Sequence, residues 1–187
     1  MPDDRAGERS GLRRRVYTGR VISLDIDTVR FPDGSLGELE IIRHPGAAAI
    51  LPFVDDIRAS DPRILLLKQY RYAANGSLYE VPAGRLESGE SPGACAAREL
   101  LEETGCTADR LTPWTTFFTT PGFTDERIHL FAASGLHRGA SATEADEFIE
   151  VVELVMSRAI AMIRGGEIAD AKTALALLYA ASFRAQL

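Results

Sequence analysis

Alternating apolar and polar positions in the first quarter of the chain predict β-strands. Residues 13–31 are rich in β-branched and alternating apolar side chains, which indicates one long strand or two short ones. A Pro-Asp-Gly turn is predicted at residues 32–34, and the strand pattern resumes over residues 36–43. Residues 13–43 are therefore expected to form an antiparallel β unit.

The rest of the chain alternates between strand patterns and helix patterns. Apolar runs bounded by turn residues predict six further strands, and a polar, aperiodic loop is predicted over residues 135–146. Strands on both sides of one helix, followed by terminal helices, indicate a mixed α/β or α+β domain. The predicted strands are 47–54, 63–72, 78–82, 114–119, 127–132 and 148–154, and the terminal helices are 157–164 and 170–184, the last capped by Asp170.

Residues 84–106 predict the central helix and the loop that leads into it. Ser91 is suited to cap the first turn, and Pro92 fits the first helical position, where its missing N–H has no intrahelical partner to lose. Gly105 supplies the left-handed residue with which helices commonly end. The helix is therefore expected to lie between Ser91 and Gly105.

Three carboxylates lie on one stripe of this helix. At 3.6 residues per turn, Glu102 lies about 60° to one side of Glu99, and Glu103 lies about 40° to the other. Like charges at these spacings destabilise an isolated helix, which leaves two explanations. The stripe is a solvated charged face that Arg98 partly neutralises, or its oxygens bind a hard cation such as Mg²⁺ or Mn²⁺.

A fixed spacing of glycines and charged residues favours the metal site. Gly84 is followed after five residues by Glu90, and after seven more by the segment 98–105, Arg-Glu-Leu-Leu-Glu-Glu-Thr-Gly. This pattern resembles the Nudix box of the Nudix hydrolases. Cys106 departs from it, since the family has a larger aliphatic residue there, and this position is expected to pack into the core.

The resemblance covers roughly residues 13–184 and implies the fold of that family. The expected class is α+β, an α/β/α sandwich with a small N-terminal antiparallel β extension. Residues 1–12, which are charged and aperiodic, are expected to be a flexible tail. The resemblance implies a β extension used for dimerisation over 13–45 and a hydrolase domain over 46–187.

Further positions are similar to the ADP-ribose pyrophosphatase subfamily. Pro121, sixteen residues beyond Gly105, resembles the marker of these enzymes, although a Pro-Gly turn between two strands also explains it. The segments 68–72, Lys-Gln-Tyr-Arg-Tyr, and 79–84, Tyr-Glu-Val-Pro-Ala-Gly, resemble the same subfamily. Pyrophosphatases of other nucleoside diphosphate sugars share much of this layout, so the sugar stays open.

The resemblance implies a metal site and the residues that form it. Glu99 and Glu103 are expected to be the principal ligands of Mg²⁺, or of Mn²⁺, with Glu102 assisting. The backbone carbonyl of Ala83, just before the box glycine, is expected to complete the protein ligands. Such ions neutralise phosphates and generate hydroxide near neutral pH.

Other groups are expected to act in catalysis. Glu90 and Arg98 are expected to orient the ligating carboxylates, although a plain helix salt bridge explains Arg98 equally. In the subfamily a loop glutamate acts as the base or as an additional ligand, and Glu147 matches it best here, with Glu144 second. A solvated acidic loop is the alternative for both.

The resemblance also implies substrate contacts. Arg71 is expected to bind the phosphates, which suit a guanidinium, unless it is simply an exposed strand arginine. Glu80 is expected to hold a ribose hydroxyl. Tyr17 and Phe31 are candidates to stack on adenine, with ordinary packing as the alternative.

Composition narrows the class of partner. A net charge of −6 and a pI near 5.2 argue against general affinity for nucleic acids or anionic membranes. The chain has no apolar run of membrane-spanning length, and its first residues lack the apolar core of a signal peptide. Cys95 and Cys106 are expected to be reduced thiols in a cytoplasmic protein.

These observations lead to one hypothesis and its rivals. The chain is expected to be a metal-dependent pyrophosphohydrolase that cleaves ADP-ribose to AMP and ribose 5-phosphate, as a cytoplasmic homodimer. A pyrophosphatase of another nucleoside diphosphate sugar, such as GDP-mannose, is the alternative within the family. A non-catalytic module that binds a nucleotide sugar, and a structural protein with a carboxylate-rich helix, are the alternatives outside it.

Overall fold

The computed structural model describes residues 12–139 and 149–183. These residues fall into two compact units, one from residues 12–46 and 117–127 and the other from residues 47–116, 128–139 and 149–183. No helix among the described residues is long and apolar enough to cross a membrane.

The first unit contains a three-stranded antiparallel sheet in the order β1-β2-β3. Its strands are β1 (Arg13–Thr18), β2 (Ser23–Arg30) and β3 (Leu36–Arg43). Gly34 has a φ of +84° in the turn between β2 and β3, a conformation that glycine adopts without steric cost. The antiparallel unit predicted over residues 13–43 is confirmed, with two short strands in place of one long one.

A buried carboxylate stabilises this sheet. Asp25 on β2 is fully buried, and its partners are Arg15, Arg13 and Arg43 from the two neighbouring strands. The hydrogen bond from Arg15 is the main cause that lowers the pKa of Asp25, with Arg43 adding to it against the opposing effect of burial. Arg43 also binds Asp125, which lies in the Phe117–Arg127 segment, at 3.0 Å. Ion pairs therefore join that segment to the sheet.

Two further sheets form the second unit. One is antiparallel, in the order β10-β5-β6, and the other has the order β7-β4-β9-β8, in which β4 runs parallel to β9. The strands are β4 (Ala47–Pro52), β5 (Arg63–Arg71), β6 (Gly76–Glu80), β7 (Ala83–Arg85), β8 (Cys106–Phe118), β9 (Arg127–Arg138) and β10 (Ile149–Val155), and the helices are α1 (Pro92–Thr104), α2 (Met156–Gly165) and α3 (Ala171–Phe183).

Helices cover both faces of the four-stranded sheet. The apolar side of α1, including Cys95 and Leu100, packs against Ala48 and Ile50 of β4 in one buried cluster. Successive residues of a strand point to opposite faces of the sheet. The β4 residues that alternate with Ala48 and Ile50 therefore face away from α1, and α3 also contacts β4. The expected α/β/α sandwich of the α+β class is therefore confirmed, and so is the core position of Cys106, which is also buried in the α1 cluster.

The strand predictions were wrong at several ends. β6 ends at Glu80 instead of residue 82, and β8 begins at Cys106 instead of residue 114. Residues 135–138 belong to β9 and not to a loop, because cross-strand contacts such as the His137–Asp109 pair at 2.7 Å accommodate polar residues in a strand. Gly139 is in neither a helix nor a strand, and the remainder of that predicted loop, residues 140–146, lies outside the described residues.

Candidate active site

The helix α1 has the ends that the sequence predicted. The Ser91 hydroxyl accepts a hydrogen bond from the Ala94 N–H at 3.2 Å, and Pro92 occupies the first helical position. Gly105 has a φ of 68° and donates its N–H to the Leu101 carbonyl at 2.8 Å. These caps set the register of the helix and thereby the positions of its carboxylates.

Gly84 makes room for the first of these carboxylates. A Cβ atom at this position would lie 1.8 Å from Oε1 and 2.5 Å from Oε2 of Glu99, which no side chain permits. Glu99 is buried, with 8% of its surface exposed. The box glycine is therefore a steric requirement: it allows the backbone of β7 to approach the carboxylate on the helix.

Glu103 is fixed against the same segment. It is 3% exposed, and its Oε2 accepts a hydrogen bond from the Ala83 N–H at 2.8 Å. Ala83 was expected to offer its carbonyl to a metal ion, and the structure brings this residue to one of the two principal carboxylates. Its role as a ligand stays a prediction.

Arg98 connects the remaining carboxylates. Its guanidinium donates to Glu90 twice, at 3.0 Å, to Glu99 at 2.6 Å and to Glu102 at 3.0 Å. It also donates to the backbone carbonyl of Arg85 at 3.1 Å. One side chain therefore joins three glutamates to the end of β7. The salt bridge is confirmed, and the role of Arg98 in orienting metal ligands stays a prediction.

These contacts shift the ionisation of the cluster. The hydrogen bond from Arg98 is the main cause that lowers the pKa of Glu90 to about 2, and the Glu87 N–H contributes to it. The hydrogen bonds to Glu90 and Glu99 raise the pKa of Arg98 far above its usual range. The carboxylate of Glu90 therefore stays ionised at neutral pH.

Glu99 and Glu103 supply carboxylate oxygens, the donor type that hard divalent cations prefer. The buried carboxylates of Glu99 and Glu103 lie beside Gly84 and Ala83. Burying an ionised carboxylate costs free energy unless a nearby cation or hydrogen bonds offset the cost. Within residues 12–139 and 149–183, no three acidic, histidine or cysteine side chains are grouped so that they could hold a metal ion. The described side chains form a carboxylate cluster arranged by Arg98.

The cysteine within the box does not take part in this chemistry. Burial is the main cause that raises the pKa of the Cys95 thiol to about 12, and the charges of Glu90 and Glu99 add to it. A protonated thiol is neither a nucleophile nor a metal ligand. Cys95 and Cys106 are both free and buried, so both act as small core residues.

Arg71 and Glu80, expected to bind different parts of a substrate, bind each other. Nε and Nη2 of Arg71 donate to the two carboxylate oxygens of Glu80 at 2.8 and 2.9 Å. Glu80 is 2% exposed, whereas the Arg71 side chain is 42% exposed. The hydrogen bonds that Arg71 donates to Glu80 are the main cause that raises the pKa of Arg71, and the charge of Glu103 adds to it, so this pair lies within electrostatic range of the box.

Sequence reasoning missed a second cation at Glu80. Lys172 on α3 donates to Glu80 and also pairs with Asp170 at 3.0 Å. The predicted cap is confirmed, since Asp170 accepts the Thr173 N–H at 2.9 Å, and Thr173 Oγ1 in turn accepts the Val81 N–H at 2.8 Å. No local pattern signals these contacts, because 92 residues separate Lys172 from Glu80.

The remaining candidates lie elsewhere in the chain. Tyr17 and Phe31 of the first unit are 57% and 38% exposed, with their rings close to Gly19 and Gly37. Pro121 lies in a turn, as its alternative reading predicts. Glu144 and Glu147 lie outside the described residues, so the structure does not test their roles.

The chain is similar to known proteins over most of its length. A family model described as NUDIX domain matches residues 43–175. The ADP-ribose pyrophosphatase of Bacillus subtilis (strain 168) is 40% identical over 174 residues, which are 92% of this chain and 91% of that protein. A Bacillus methanolicus protein named methanol dehydrogenase activator is 38% identical over 174 residues, with the same shares of 92% and 91%.

A solved structure shares the fold. A structure described as an ADP compounds hydrolase has a TM-score of 0.77 and covers 92% of this chain and 91% of its own. The two sequences are 20% identical, so this likeness shows the architecture and leaves the substrate to the residues of the site.

Proposed function

The chain belongs to the Nudix family, and we propose that it is a metal-dependent pyrophosphohydrolase that cleaves ADP-ribose to AMP and ribose 5-phosphate. The observation that carries the proposal is the pair of buried carboxylates, Glu99 and Glu103, which the close approach of Gly84 and the Ala83 N–H hold beside one strand end. The 40% identity to an ADP-ribose pyrophosphatase supports the choice of substrate.

The carboxylates of α1 supply the metal ligands in this proposal. Glu99 and Glu103 hold the ion, Glu102 assists, and the Ala83 carbonyl completes the protein's share. Magnesium, or manganese, supplies charge neutralisation of the diphosphate and lowers the pKa of a bound water. Arg98 holds Glu99 and Glu102 in place through its hydrogen bonds at 2.6 and 3.0 Å.

The substrate groups follow from the same proposal. Arg71 binds the phosphates with its partly exposed guanidinium, and Glu80 orients it. A contact from Glu80 to a ribose hydroxyl stays a prediction. Glu147, or Glu144, takes the proton of the attacking water.

A substrate panel tests the proposal directly. The protein is supplied with Mg²⁺ and, separately, with ADP-ribose, GDP-mannose, ADP-glucose, NADH and a diadenosine polyphosphate, and the products are identified by mass spectrometry. We expect the highest kcat/KM for ADP-ribose, with AMP and ribose 5-phosphate as products. A higher kcat/KM for GDP-mannose would reassign the sugar, and binding without hydrolysis of any compound would favour a sensor module.

The β extension over residues 13–45 is proposed to mediate a cytoplasmic homodimer. The first unit exposes large apolar side chains, including Leu12 (75%), Tyr17 (57%) and Leu36 (60%), and exposed apolar surface can mark a protein interface. Sedimentation velocity tests it: a species of twice the 20.3 kDa chain mass is expected. A concentration-independent monomer would remove the proposal.

A further inference from the structure

Glu80 is a buried carboxylate with two cationic partners. It ends β6 and is 2% exposed. Arg71 already satisfies both carboxylate oxygens through two hydrogen bonds, and Lys172 donates a third to Oε2. A buried carboxylate needs a partner, and a bidentate guanidinium supplies it, so the second cation at Glu80, the partly buried ammonium of Lys172, calls for a separate explanation.

Arg71 retains hydrogen-bonding capacity on its exposed side. The two bonds to Glu80 use Nε and Nη2, and no hydrogen bond of Arg71 to the described residues uses Nη1. The Arg71 side chain is 42% exposed, so an anion can approach it from solvent. Glu80 therefore fixes one edge of the guanidinium and leaves the other for a ligand.

Lys172 is itself fixed at the start of α3. Its side chain is 14% exposed and also pairs with Asp170 at 3.0 Å. Thr173, the next residue, accepts the Val81 N–H at 2.8 Å and donates to Asp170 at 2.6 Å. The first turn of α3 is thus attached to the residue that follows Glu80, and the ammonium lies at a defined place relative to the carboxylate.

We propose that Lys172 is a positioning residue of the phosphate subsite: it immobilises the Glu80 carboxylate, which holds Arg71 so that Nη1 binds the substrate's diphosphate. The inference rests on the proposed function. It assigns a role in that function to a residue of α3, which lies outside the box of residues 84–106. Without Lys172 the Glu80 carboxylate has one cation instead of two and rotates more freely. Arg71 then follows it, and the geometry of the phosphate contact is lost.

Steady-state kinetics of two substitutions test the role. Lys172→Met keeps an unbranched apolar side chain and removes the charge. Lys172→Arg keeps a cation at this position that can still pair with the Glu80 carboxylate. We expect Lys172→Met to raise KM for ADP-ribose roughly three- to tenfold, with kcat within about twofold, because loss of a contact made equally in ground and transition states raises KM alone. Lys172→Arg is expected to recover most of the loss.

The same substitution in an Arg71→Ala background separates positioning from a direct contact. If Lys172 acts through Arg71, Lys172→Met adds no further increase in KM there, since non-additivity marks residues that act as one unit. An equal increase in both backgrounds would overturn the proposal. So would a lower melting temperature and lower kcat with an unchanged KM, which indicate a structural role.

Calorimetric binding of ADP-ribose to the same variants keeps the two proposals distinguishable. A wild-type protein that binds ADP-ribose but hydrolyses nothing in the panel would refute the proposed function, and the dissociation constants of the Lys172 and Arg71 variants would still decide the positioning role. A wild-type protein that hydrolyses ADP-ribose, with KM and dissociation constant unchanged by Lys172→Met, would refute the positioning role alone.

Discussion

At the scale of single residues, the site depends on close approaches that tolerate no additional atoms. Gly84 lies against the Glu99 carboxylate, and the Ala83 N–H binds Glu103. Both contacts are made by the backbone of β7, so the strand and the helix position the carboxylates jointly. The glycine spacing of the box is thereby explained by sterics, because a Cβ at Gly84 would occupy the position of the carboxylate.

Gly84→Ala is therefore expected to displace Glu99 and abolish most turnover. The added Cβ would lie 1.8 Å from Oε1, so the carboxylate must move, and we expect kcat/KM to fall by about 10- to 100-fold, as for the loss of a group that orients a metal ligand. Gly93→Ala on α1 is the matched control, since a Cβ there meets nothing within 4 Å. That control should keep its activity and gain about 0.5 kcal/mol of stability; similar losses in both variants would contradict the steric account.

Glu90 gives a prediction about pH. Its pKa falls from 4.5 to about 2 in the folded protein, mainly through Arg98, so its ionised form stabilises the fold above the unfolded pKa, and this contribution is lost as the pH falls through the folded one. Metal-free wild type should melt at a higher temperature than Glu90→Gln at pH 6. The difference should shrink between about pH 4.5 and about pH 2; a constant difference across this range would contradict the assignment.

At the scale of elements, α1 is the part of the fold that the sequence specifies most completely. Its ends are set by local chemistry, a Ser91 cap, Pro92 in the first turn and a left-handed Gly105, which is why they could be predicted without tertiary contacts. β8 was harder, because its first half carries polar residues such as Asp109 and Arg110 that obscure the strand pattern. Tertiary pairing overrides weak local propensity there.

The Ser91 cap should contribute measurably to stability. Ser91→Ala removes the acceptor of the Ala94 N–H at 3.2 Å and is expected to lower the free energy of unfolding by about 1 kcal/mol. Ser88→Ala, at an exposed position of the preceding loop, is the control and should be neutral in urea denaturation. Equal stability of the two variants would show that the cap is dispensable.

At the scale of the whole molecule, the features that could not be predicted from the sequence are contacts between residues far apart in the chain. The pairing of Lys172 with Glu80 joins residues 92 positions apart, and the buried Asp25 gathers arginines from two neighbouring strands. The alternation of apolar and polar residues predicts where a strand lies but not which charged residues of other elements pair with it. These ion-pair networks are therefore visible only in the folded chain. The box could be found from the sequence because its function requires a fixed spacing within one helix and one strand end.

The central claim is that the carboxylates of α1 hold the cation that makes a phosphoanhydride hydrolysable. Its most direct test is the rate of ADP-ribose hydrolysis by Glu103→Gln in excess Mg²⁺, with Glu167→Gln, an exposed substitution of the same kind, as the control. The amide oxygen introduced by Glu103→Gln can still accept the Ala83 N–H, so the melting temperature should be unchanged while kcat/KM falls by about 10- to 100-fold or more. Hydrolysis by Glu103→Gln at the rate of wild type and of the control would contradict the account.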